Sequence, residues 1–285
     1  MRFVFAQILI SLILKSNTSF LGAFSLVMHL CDPKIHLIIR LVMFQSSLIK
    51  KYLMALTGIV LVGFVFVHMA GNLQVLLGQE AINAYAHALQ NLPAPILWGS
   101  RLFLLVCVVI HAITAYQLIR ENRKARPRVN EVEVTKRAGW SSLRMGLTGS
   151  LMLAFIVFHL LHFTIRSIFP EYNDLKTTVG SPDGLEIHDV YSMILAGFRV
   201  DAISAFYVFC MFLLCRHLAH GVSSMFQTLG LRSESWRAKL DCAASAYGWI
   251  IFVGFSIIPV LVVAQKYGLV SCLESCGSSC LALNP

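Results

Sequence analysis

Residues 56–73 read LTGIVLVGFVFVHMAGNL, an apolar run with one titratable ring, His68, near its end. A helix needs about 20 mostly apolar residues to cross a bilayer. An ionisable side chain within such a segment is costly and by default marks a functional position. Three more segments repeat the arrangement. They carry His111 in LFLLVCVVIHAITAYQL (102–118), His159 in LTGSLMLAFIVFHLLHF (147–163) and His217 in YVFCMFLLCRHLAHG (207–221). One such histidine reads as a core residue bonded to a neighbouring carbonyl. Four, one per helix, read as two axial pairs gripping two haems.

The whole chain has the composition of a membrane protein. Of its 285 residues 57% are hydrophobic and only 13% charged, with a mean hydropathy of +0.73. Five stretches are long enough to span: 53–77, 97–119, 143–165, 196–218 and 245–265, the fourth running on amphipathically toward Leu229. No Asn/Gln tract, repeat or long linker interrupts them, which predicts one all-α, five-helix membrane unit. Alternating ten-residue strands, the mark of a membrane β-barrel, are absent from the pattern.

Lys and Arg set the expected orientation. With Lys50 and Lys51 inside, the same side receives Arg120, Arg123, Lys124, Arg126, Arg128, Lys136, Arg137, Arg144, Arg232, Arg237 and Lys239. The other side receives Arg101, Arg166, Lys176, Arg199 and Lys266. By the positive-inside rule the bundle starts in the cytoplasm and ends outside, in the cell's cytoplasmic (inner) membrane. The +9 net charge thereby belongs to one face, and no nucleic-acid partner is implied.

Depth then pairs the histidines. At about 1.5 Å per residue, His68 lies about 25 Å beyond Lys51 and His159 about 22 Å beyond Arg144. By the same rise, His111 comes about 14 Å before Arg120 and His217 about 22 Å before Arg232. The fourth span's amphipathic end is expected to extend into the cytoplasm, which brings His217 nearer that face. The first and third spans thus offer an outer pair, and the second and fourth an inner pair. Small residues near the ligands, among them Gly58, Gly63, Gly71, Gly149 and Gly221, suit close approach of a flat macrocycle, or ordinary packing of helices.

Over about Ser46 to Gly268 the chain resembles the cytochrome b558 membrane-anchor subunit of succinate dehydrogenase and fumarate reductase. The likeness rests on KKYLMALTG followed by GFVFVHMAGNLQ, on INAYAHALQNLP and IHAITAYQL, on LTG-x9-H ending at His159, and on HLAHGVSSMFQTLG. It implies five helices and two b haems. His68 and His159 would be the ligands of the distal, outer haem, and His111 and His217 those of the proximal, inner one. It further implies a flavoprotein subunit acting on succinate or fumarate and an iron–sulfur subunit docked on the cytoplasmic face. Electrons would pass between that subunit and a membrane quinone, menaquinone, tying the chain to the tricarboxylic acid cycle. No CxxCH occurs, so the haems would be held non-covalently. Two imidazoles leave iron no open position for oxygen chemistry.

Other residues carry secondary expectations. His162 and His220 each follow a ligand by three residues and read as propionate-side groups or as packing residues. Arg199 and Arg216 are candidate propionate partners, with snorkelling to the headgroups as the alternative for Arg199. For the quinone, the loop after the first span offers Glu80, Asn83, Tyr85, His87 and Gln90 on a short interfacial helix, with Glu80 and His87 as donors. The loop with Asp183, Glu186, His188 and Asp189 is the weaker candidate.

Residues 1–42 lie outside the resemblance, and Met43 is a candidate start. Residues 269–285 form a tail with Cys272, Cys276 and Cys280 at a spacing that fits no metal site. Cys31, Cys107, Cys210, Cys215 and Cys242 read as small packing residues. Two rival functions stand beside the main one. The first is the haem b subunit of another membrane dehydrogenase, such as formate dehydrogenase or hydrogenase. The second is a haem-free transporter using histidines for metal or protons.

Overall fold

A computed structural model describes residues 46–124, 136–179 and 184–270, with backbone alone over 136–144. The extension 1–42, Met43, Cys31, Arg126, Arg128, Asp183 and the cysteine tail lie outside the described residues. The chain divides into two compact units, Met1–Lys50 and Lys51–Pro285. Of the first, only residues 46–50 are described.

Helices dominate because a backbone in lipid must satisfy its own N–H and C=O groups. The long helices are α1 (Ser47–Asn72), α3 (Ala94–Lys124), α4 (Lys136–His159), α6 (Asp201–Thr228) and α7 (Glu234–Lys266). Between α1 and α3 lie a 3-10 turn, Leu73–Leu77, and the short α2, Gln79–Gln90. After α4 come a π-helical turn (Leu160–Thr164), a hairpin of β1 (Lys176–Val179) and β2 (Leu185–His188), and α5 (Val190–Phe198). The hairpin is antiparallel, with Lys176 opposite His188. Five helices among the described residues are long and apolar enough to cross a membrane. Their outward faces carry exposed Val67, Phe103, Phe209, Trp249, Val253 and Val260. Such faces fit lipid and suit water poorly.

The first three long helices begin a few residues ahead of the hydropathy bounds, and the fourth and fifth differ from them in more informative ways. The fourth starts at Asp201, not 196, because α5 ends at Phe198 and the chain breaks at Arg199–Val200. Ser204 Oγ seals the break by donating to the Phe198 carbonyl at 2.6 Å. The fifth starts at Glu234 rather than 245, with exposed, largely polar first turns ahead of the apolar run. Glycine ends both α6 and α7. Gly230 (φ 74°) and Gly268 (φ 69°) take the left-handed conformation that L side chains resist. The N–H groups of Leu231 and Leu269 then return to the Phe226 and Ala264 carbonyls, as the Schellman motif requires.

α6 and α7 pack along most of their length. Gly248 permits this, since a Cβ there would come within 2.7 Å of the Cys215 carbonyl oxygen. α7 also holds α1 through Tyr247, whose hydroxyl donates to the Val62 carbonyl at 2.6 Å. The largest apolar core sits at one end of the bundle. There Val75, Ile82, Ile194, Phe198, Tyr207, Ile258 and Val262 close together beneath α2 and α5. At that end Asp201, in the first turn of α6, pairs with Lys266, in the last turn of α7, at 2.9 Å. Both charges suit their helix dipoles. Cys107, Cys210 and Cys215 are buried free thiols, whereas Cys242 is exposed and not a packing residue.

Candidate functional site

The four span histidines fall into two pairs drawn from non-consecutive helices. His68 of α1 faces His159, the last residue of α4, with ring centres 5.9 Å apart and planes at 81°. His111 of α3 faces His217 of α6, with centres 6.5 Å apart and planes at 65°. A metal–imidazole bond is about 2 Å long, so two axial rings on one metal stand about 6 Å apart centre to centre. Both separations match that span. Among the described residues no three of His, Cys, Asp and Glu gather into a metal cage. A haem iron needs only two protein ligands, because the macrocycle fills the other positions, and bare pairs suit it.

Hydroxyls lie beside the ring nitrogens. Thr57 Oγ1 is 3.2 Å from His111 Nδ1, and Thr148 Oγ1 is 3.3 Å from His217 Nδ1. Each ring lies against the glycine after its threonine. A Cβ at Gly58 would sit 3.6 Å from His111 Cε1, and one at Gly149 would sit 3.4 Å from His217 Cε1. In the other pair the Tyr207 hydroxyl lies between two histidines, 3.4 Å from His159 Nδ1 and 2.9 Å from His162 Nδ1. Asn72 Nδ2 lies 3.4 Å from His68 Nε2 and donates to the His68 carbonyl at 2.7 Å.

Thr57, Thr148 and Tyr207 are absent from the residues expected on sequence. A signal for the threonines is nevertheless there. Leu-Thr-Gly followed by nine residues and histidine occurs twice, at 56–68 and at 147–159. The spans therefore do contain a short repeat, contrary to the sequence-based reading. Eleven residues are close to three helical turns, so threonine and histidine share a face about 16 Å apart. α1 and α4 each present Thr-Gly to one histidine pair and a histidine to the other.

The remaining candidates are dispersed. His162 is fully buried inside the π turn, surrounded by Phe163, Phe169, Tyr172 and Tyr207. π turns often mark functional positions within helices. Its Nε2 has no hydrogen-bond partner. Soon after, Arg166 adopts a left-handed φ of 58°, which turns the chain toward the hairpin. Nearby Tyr172 has its hydroxyl pushed up to about 12 by burial and by the Glu171 charge. His220, Arg199 and Arg216 are exposed on the bundle surface. The Arg199 carbonyl, rather than its guanidinium, is engaged, accepting from Lys266 Nζ at 3.1 Å.

The two loops weighed as separate quinone candidates are one structure. Asn83 of α2 donates to Asp189 at 2.8 Å and accepts from the Tyr191 N–H at 3.0 Å. Gln79 and the Ser192 hydroxyl also donate to the Asp189 carboxylate, at 2.8 and 2.6 Å. Asn83 and Asp189 are thus committed to each other and are poor choices for a quinone carbonyl. Glu80 is exposed on α2, and the His87 ring lies 3.0 Å from the Asn91 side-chain amide.

Neither a family model, nor a curated protein, nor a solved structure matches this chain. The geometry stands alone. Two histidine pairs at two depths can hold two six-coordinate irons one above the other, which suits electron transfer across the bundle rather than bond-making.

Proposed function

We propose that this chain is the dihaem cytochrome b membrane anchor of a succinate dehydrogenase or fumarate reductase, joining its iron–sulfur subunit electrically to membrane menaquinone. The observation that supports it most is the pairing of His68 with His159 and His111 with His217, both at the separation of axial ligands. Haem b, when bound, supplies reversible one-electron chemistry at a potential tuned by its surroundings.

The chain's own residues bind, orient and insulate. The four imidazoles would hold both irons, and the apolar faces of α1, α3, α4 and α6 would exclude water around them. His162 and Arg216 are candidate partners for the propionates, since guanidinium pairs with carboxylate bidentately. Arg120, Arg123, Lys124, Arg232, Arg237 and Lys239 would line the cytoplasmic face where the iron–sulfur subunit docks, following the positive-inside rule. The opposite end, with α2 and the hairpin, is then the quinone side, where Glu80 and His87 remain the donors to examine. Across the membrane potential each charge is worth about 2.3 kcal/mol per 100 mV, so this arrangement couples quinone chemistry to the field.

Purification of the tagged chain from its own membranes tests the assignment. It should bring a covalently flavinylated subunit and an iron–sulfur subunit, with succinate reducing the haems. Two b haems accompanied instead by formate dehydrogenase or hydrogenase subunits would overturn it in favour of that other class.

A further inference from the structure

We propose that Thr57 and Thr148 are positioning residues that hold His111 and His217 as the Nδ1-protonated tautomer, leaving Nε2 of both rings for one iron. This rests on the dihaem reading and goes beyond its ligand set.

A threonine hydroxyl has one proton to give. Thr57 Oγ1 lies 2.7 Å from the Leu53 carbonyl and 3.2 Å from that of Met54, so its proton is committed to its own helix. Toward His111 Nδ1, at 3.2 Å, the hydroxyl can then only accept, and the Met54 backbone, which also hydrogen-bonds the ring, works in the same sense. An unprotonated Nδ1 there would set lone pair against lone pair. Thr148 is placed alike, its Oγ1 3.3 Å from both the Met145 carbonyl and His217 Nδ1, and a proton given to the carbonyl leaves it, too, to accept from the ring. Each threonine therefore accepts a hydrogen bond from the Nδ1–H of its histidine, which leaves the Nε2 lone pair for metal. Gly58 and Gly149 complete the seat by letting each ring lie flush against its neighbouring helix.

The two halves are matched by sequence as well as geometry. The two Leu-Thr-Gly runs supply the same hydroxyl to opposite ligands of a single site. The His68–His159 pair has no such symmetry, with the Tyr207 phenol on one side and the Asn72 amide on the other. Hydrogen bonds to the far nitrogen of a ligating imidazole fix its tautomer and raise its basicity. A more basic ligand favours oxidised iron. The threonines therefore hold the potential of one haem, and only that one, below the value it would otherwise take.

Redox titration of the two haem bands in membranes carrying the full chain tests this. Thr57→Val and Thr148→Val keep side-chain size and remove the acceptor, while Thr57→Ser and Thr148→Ser keep it. Each valine variant should raise the potential of the His111–His217 haem, with the other unmoved and serine restoring the wild-type value. Loss of that haem in the valine variants with retention in the serine variants also supports it. Both haems present at unchanged potentials in the valine variants, or haem loss shared by valine and serine, would overturn it while leaving the dihaem reading intact. A wild-type chain without haem would overturn that reading itself.

Discussion

Asn83 donates to the carboxylate of Asp189 at 2.8 Å, tying α2 to the start of α5 across 106 residues of sequence. Both side chains are buried, at 1% and 5% exposure, and the carboxylate also caps α5 by accepting from the Ser192 N–H at 3.1 Å. Asp189→Ala should cost about 3 kcal/mol, combining a lost N-cap with a buried amide left unpaired. Thermal unfolding in detergent reads the loss. Limited proteolysis should cut first between β2 and α5, and an unchanged midpoint would show that the clasp holds nothing.

His188, in β2, gives this end of the molecule its pH dependence. Burial and then the Arg166 charge push its pKa below 6.5, against the Leu175 carbonyl bond and the Asp189 charge. A depressed pKa means that the unfolded chain binds the proton first. Its contribution to stability is complete above pH 6.5 and declines as pH falls from there toward the folded value. His188→Gln should flatten that acid slope, measured by amide exchange of the hairpin between pH 5 and pH 7.

Gly248 marks where the bundle is tightest. Gly248→Ala places a methyl within 2.7 Å of the Cys215 carbonyl, a backbone atom that cannot swing aside. Overpacking of this kind costs about 1–3 kcal/mol. Gly63→Ala is the control, since nothing lies within 4 Å of a Cβ there. Unfolding in mixed detergent micelles should weaken for the first and hold for the second.

The spans were legible because hydropathy and length are what a bilayer demands. The break between α5 and α6 was not. Val190–Phe198 is as apolar as the spans themselves, so a hydropathy window runs through Arg199 without registering a turn. The four histidines were legible, one per span, but the basic flanks put His159 and His217 at the same depth of about 22 Å, so which rings face each other is decided by packing. Thr57 and Thr148 stayed hidden because a threonine in an apolar helix reads as bonding its own preceding carbonyl, which both do. Tyr207 was hidden differently. Its two partners, His159 and His162, are 48 and 45 residues away, and only the packed π turn brings them to one hydroxyl.

Tyr207→Phe removes that hydroxyl and leaves the buried His162 Nδ1 unpaired. The variant should lose about 2 kcal/mol of stability, the usual cost of one orphaned buried group. In the dihaem reading it should also alter the spectrum of the His68–His159 haem and leave the other untouched. Thermal unfolding and low-temperature spectra read the two effects separately.

In the proposed function four histidines hold two haems in two layers. Reduced-minus-oxidised spectra of membranes carrying His68→Ala, His111→Ala, His159→Ala or His217→Ala test it most directly, read against a wild type expected to hold two b haems per chain. His111→Ala and His217→Ala should each remove the same spectral component, and His68→Ala and His159→Ala the other. A wild type without a b-type spectrum, or loss of one shared component in His68→Ala and His111→Ala, would contradict the account.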